Sequence, residues 1–92
     1  MQRRMYPVDV ISMCSADGKI YPLRFQIESD KTNRVRIHID QIISSHESHC
    51  VGAETRIFWC RATKQQKTCF FELHYVYRSH SWFLAVDGTL RQ

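Results

Sequence analysis

The chain has 92 residues, with 13 Lys and Arg against 9 Asp and Glu for a formal net charge of +4, and 43% of it is hydrophobic. That length bounds it to one domain with a single modest core that needs neither metal nor crosslink, and the composition excludes a disordered chain. No run approaches the ~18 apolar residues of a membrane-spanning helix, and residues 1–7 lack the apolar stretch of a secretory signal. The expectation is therefore a cytoplasmic protein that does not enter a membrane, with Cys14, Cys50, Cys60 and Cys69 as reduced thiols, two or three of them core residues.

The first apolar run, residues 8–14, has mixed parity: Val8 and Val10 follow one face, Ile11 and Met13 the other, and a bulge in this run would reconcile them. Gly18, in the Ala-Asp-Gly-Lys stretch 16–19, supplies the positive φ of a tight turn. Residues 23–28 then alternate with period two, Leu23, Phe25 and Ile27 against Arg24, Gln26 and Glu28. The polar stretch 29–33 reads as a loop, and residues 34–40 repeat the alternation. A loop centred on Lys31 sets Ile27 opposite Val35, Phe25 opposite Ile37 and Leu23 opposite Ile39.

Residues 41–43 extend the third strand, and 44–53 read as a polar loop with Gly52 near its end and room for a short helical turn. A turn over 63–67 places Cys60 opposite Cys69 and Phe58 opposite Phe71, on a face shared with Leu73 and Tyr75. A tight turn at Ser79-His80 places Tyr77 opposite Trp82, Tyr75 opposite Leu84 and Leu73 opposite Val86. The sum is an all-β domain, a six-stranded antiparallel meander with its ordered core at about residues 8–87. With no helix to cover one face, the sheet must curl into a small barrel or fold into a two-sheet roll.

Few residues suggest catalysis. His46, His49 and Cys50 lie close together and suit zinc by type, but their spacing is not that of a zinc knuckle, and solvated histidines are the simpler reading. No nucleophile has a base and an orienting group specified beside it, and Gly18, Gly52 and Gly88 are too far apart to form a phosphate loop. Neither a cofactor nor an enzymatic activity is expected.

The face opposite the core is the remaining candidate. It carries Arg24, Gln26, Arg34, Arg36 and His38 on one hairpin, and Trp59, Arg61, Thr68, Phe70, Glu72 and His74 on another, with Trp59 cross-strand from Phe70. Lys64 and Lys67 stand at the hairpin tip, and Arg56 or Arg78 could widen the cationic surface. Aromatic rings among cations are how small β domains hold single-stranded nucleic acid, by stacking bases while Arg and Lys follow phosphates. The alternatives are that Trp59 and Phe70 form a second core layer under residues 44–53 or a neighbouring strand, or that they anchor a protein partner or a second copy of the chain.

Several strings recur together: Pro22-Leu23-Arg24-Phe25, Phe58-Trp59-Cys60, Glu72-Leu73-His74-Tyr75 and Trp82-Phe83-Leu84. In this order they resemble a group of small uncharacterised proteins from Gram-positive anaerobes, over about residues 8–84, departing from that pattern at Ala53-Glu54 after Gly52. The resemblance implies a shared strand framework and brings no activity with it. The terminal Trp82-Phe83-Leu84 is also similar to the WYL-type small barrels, which implies a binding module by analogy alone.

Overall fold

The alternating runs form strands throughout the computed structural model, which describes residues 3–28, 34–50 and 53–87. In chain order the strands are β1 (Arg3–Pro7), β2 (Asp9–Cys14), β3 (Ile20–Glu28), β4 (Arg34–His38), β5 (Gln41–Cys50), β6 (Ala53–Lys64), β7 (Lys67–Val76) and β8 (Ser81–Asp87), with no helix among the described residues. They make two antiparallel sheets, one of five strands in the order β1-β8-β7-β6-β5 and one of three in the order β2-β3-β4.

Among the described residues the expected six strands are thus corrected to eight, and of the two expected forms it is the two-sheet arrangement, not a closed barrel, that they take. The run from Arg34 breaks, and β1 is added ahead of the first run, because the chain changes sheets at both places. Ile39 N donates to Leu23 O in the smaller sheet at 3.0 Å, while the next residue, Asp40, donates to Arg61 O in the larger at 2.9 Å. At the other corner Val8 N donates to Trp82 O at 3.2 Å, after which β2 pairs with β3. Strand β1, which the sequence reading left outside the core, closes the edge beside β8.

Pairing across β3 and β4 matches the sequence register, Ile27 with Val35 and Phe25 with Ile37. The intervening residues 29–33, and the expected turn around Gly52, lie outside the described residues. The other two hairpins keep the expected faces but are paired differently. Phe58 lies opposite Leu73, Cys60 opposite Phe71 and Ala62 opposite Cys69. The cause is a two-residue turn in which Gln65 (φ 52°) and Gln66 (φ 67°) both take the left-handed conformation, without the Asn or Gly that usually announces it. In the last hairpin Tyr75 lies opposite Trp82 and Leu73 opposite Leu84, because residues 77–80 form a longer turn than Ser79-His80 alone. His80 (φ 55°) takes the left-handed position there, and its Nδ1 lies 3.0 Å from the Tyr75 hydroxyl.

Two bulges complete the register. Ile11 pairs with Arg24 but Ser12 with Pro22, leaving Leu23 without an opposite residue. Likewise Ile42 pairs with Cys60 but Ser44 with Trp59, leaving Ile43 over. Both unpaired side chains are exposed, so Leu23 is not the core residue its parity suggested; Pro22 turns inward in its place. The bulge expected in the first run belongs to β3 instead.

Phe25, Phe58, Cys60, Ala62, Phe71, Leu73, Tyr75, Trp82 and Leu84 form the buried cluster between the sheets. Cys69 lies beyond it on the exposed hairpin, and Cys14 is exposed as well, so among the described thiols Cys60 alone is a core residue. Burial pushes the Cys60 thiol up to about 12. The segment expected as a loop at 44–53 is mostly strand: β5 pairs with β6 along its whole length, and its polarity reflects an edge position with one wet side.

Leu73→Ala, at a fully buried site, is expected to cost about 2–5 kcal/mol in urea unfolding, whereas Leu23→Ala on its bulge should stay within about 0.5 kcal/mol of wild type. Equal losses at both positions would show that strand parity continues through Leu23. Replacing Gln65-Gln66 by Asn-Gly should raise the unfolding free energy by about 1 kcal/mol, measured in the same way.

Candidate nucleic-acid interface

The outer face of the five-stranded sheet is set by the inner one. Because Phe58, Cys60, Phe71 and Leu73 point inward, alternation turns Trp59, Arg61, Phe70, Glu72 and His74 outward. Trp59 lies opposite Glu72, and Phe70 opposite Arg61. The two rings therefore meet diagonally rather than directly across, near-parallel at 15° with centroids 5.9 Å apart. They remain 38% and 47% exposed, and residues 44–50, on β5, lie beside them in the same sheet rather than over them. The reading of these rings as a second core layer is thereby overturned.

The cations near this platform differ in what they have free. Arg61 is half-buried beside Phe70, and no ion pair engages it among the described residues. Lys64 and Lys67 sit directly opposite each other at the hairpin end, a like-charge pair that an anion would relieve. Alternation puts those lysines on the other side of the ribbon from the rings, so a ligand touching both must wrap the tip. His74 is engaged instead: its Nε2 lies 3.0 Å from Glu72 Oε1, and both side chains are largely covered. Arg56 is likewise engaged, by Glu47 and Ser45, and adds nothing to the cationic surface.

Arg24, Arg34 and Arg36 belong to the outer face of the smaller sheet, on β3 and β4. The predicted residues are therefore split between two surfaces. The chain crosses between the two sheets at Ile39-Asp40, where Thr63 Oγ1 donates to Asp40 Oδ2 at 2.8 Å. Arg34 Nε stands 3.9 Å from Glu28, while Arg24 and Arg36 have no such partner among the described residues.

A polar cluster with no signature in the local residue pattern lies at the far end of the β5–β6 hairpin. The Tyr77 hydroxyl donates to Glu47 Oε2 at 2.8 Å, and Arg56 donates to the same oxygen at 3.0 Å and to Ser45 Oγ at 2.8 Å. The Tyr77 hydrogen bond first, and Arg56 after it, hold the Glu47 carboxyl below its usual range; burial, then Glu47, push the Tyr77 phenol up. His49 faces Glu54 on the hairpin's inner side at 3.7 Å, while His46 lies opposite Ile57 on the outer side, so the two histidines do not converge. No three His, Cys, Asp or Glu side chains gather around a metal-sized space among the described residues.

Comparison of the chain with protein-family models, curated proteins and solved structures returned no match. Function must therefore be argued from the surface itself.

Because the folded state lowers the Glu47 pKa, its stabilising contribution is complete above the ordinary carboxylate range and is lost as pH falls through the lower folded value. Glu47→Gln should flatten the acid side of the stability profile measured by denaturant melts from pH 7 down to pH about 3. An unchanged profile would mean that other carboxylates carry the dependence.

Proposed function

We propose that this protein is a non-catalytic β-domain that binds single-stranded nucleic acid, with Trp59 and Phe70 as its base-stacking platform and Arg61, Lys64 and Lys67 as its phosphate contacts. One observation carries the reading: two near-parallel rings stand open on a sheet face, next to a cation that no ion pair engages among the described residues. Stacking is tolerant of sequence because every base has a π-face, so recognition here favours an unpaired strand over a particular base order. The moderate positive charge of the chain suits that ligand.

Fluorescence tests this directly, because Trp82 is buried at 8% exposure and Trp59 is the open indole of the pair. Oligothymidylate should quench Trp59, and affinity should fall with salt at a slope of about 0.7 per phosphate contacted. Trp59→Ala should cost about 1–3 kcal/mol of binding, and Arg61→Gln should lower the salt slope by about one. Absent binding at low ionic strength, or binding indifferent to salt, would overturn the proposal.

A protein partner or self-association is the second reading. It is favoured by the extent of the face, which continues from the two rings through half-buried Ile57 and Phe83 to exposed Met5. Sedimentation separates the two: a dimer in which Trp59 is shielded from iodide supports this reading, and a monomer with Trp59 open to iodide removes self-association.

A further inference from the structure

The three arginines on the outer face of the smaller sheet are not equivalent. Arg34 faces Glu28 at 3.9 Å, whereas the side chains of Arg24 and Arg36 make no hydrogen bond or ion pair among the described residues. Strand pairing arranges their neighbourhood as two rows across β2, β3 and β4: Asp9, Gln26, Arg36 in one, Ile11, Arg24, His38 in the next. The two arginines are diagonal neighbours within this grid, which puts like charges on adjoining positions of one face.

The surface between them is hollow. A cleft of about 240 Å³ opens there, with exposed Ile11 on its apolar side and Arg24, Gln26 and Arg36 on its polar side, while Val10 and Phe25 border it with their own side chains turned to the core. The carboxylate at its rim, Asp9, accepts a hydrogen bond from Gln26 Nε2 at 3.3 Å, and that amide keeps a second N–H for a ligand. We propose that this cleft binds the phosphate group of a phosphate monoester, the guanidinium forks of Arg24 and Arg36 matching its two charges and Gln26 donating to a third oxygen. The apolar side holds the organic body that carries the phosphate. A carboxylate presents half that charge and one oxygen fewer, and it would leave one guanidinium unanswered.

This site uses none of the residues of the Trp59 platform, so either can fail alone. The same phosphate chemistry has two sources, a free nucleoside monophosphate or the phosphorylated end of a strand. Titrations followed by NMR of the Arg Nε–H and Gln side-chain signals distinguish them, run at constant ionic strength with adenosine monophosphate, adenosine, and oligothymidylate with and without a 5′-phosphate. Adenosine monophosphate should give saturable shifts at Arg24, Arg36 and Gln26, weakened at least tenfold in Arg36→Gln and in Arg24→Gln, and adenosine should give none. Trp59→Ala should leave those shifts unchanged. Response to the 5′-phosphorylated strand but not to the mononucleotide supports the cleft with a strand end as its ligand. Shifts that never saturate, that appear equally with adenosine, or that survive both substitutions would overturn the proposal, as would silence with every probe.

Discussion

A single ring joins the two sheets. Of the buried core cluster, Phe25 alone comes from the three-stranded sheet, and it meets Phe71 edge-on with centroids 5.2 Å apart. The half-buried side chains Val10, Ile20, Ile27 and Ile37 pack around that contact. Pro22 is also fully buried on β3, yet it stands three residues from Phe25, a spacing that unbroken alternation sends to opposite faces. The bulge at Leu23 removes the conflict by adding one unpaired residue between them. Pro22 itself lies one residue beyond the last bond from the β4 side, Ile39 N to Leu23 O, so the N–H that proline lacks is not missed there. The position of the smaller sheet, and with it the Arg24–Arg36 cleft, follows from this arrangement.

Side-chain parity was legible because one buried face forces it. Phe58, Cys60, Phe71, Leu73, Tyr75, Trp82 and Leu84 all point inward as their alternation requires. Pairing was less legible, because a shift of two residues preserves every face and only the turn decides it. Gln65 and Gln66 carry no turn signature, so nothing in the residues marked a two-residue turn there. Leu23 and Ile43 were hidden for a related reason: a bulge is defined by the partner strand, and the local pattern looks the same with or without it.

The outer face was readable as a set of residues and unreadable as a surface. Alternation alone gave Trp59, Arg61, Phe70 and His74 a common side, and they share it. Whether the side was covered depended on residues 44–53, whose serines and histidines carry no apolar alternation and so read as loop. Nor could it reveal that Arg56 is held by Glu47 and Ser45, or that Glu47 is in turn bonded by Tyr77, 30 residues away in the chain. Such pairings arise from strand neighbours that only the assembled sheet defines.

Strand β5 has a further consequence for the behaviour of the protein in solution. Its outer edge, which no other described strand pairs, runs for 10 residues without a proline to interrupt it, which is the geometry on which unrelated chains zip together into fibres. What opposes that outcome is chemistry rather than shape: Ser44, His46, Glu47, Ser48 and His49 keep the border hydrated. The composition that made this strand look like a loop is therefore its protection. Greasier side chains at the two serines would leave the fold intact while turning a quiet margin into a template for aggregation.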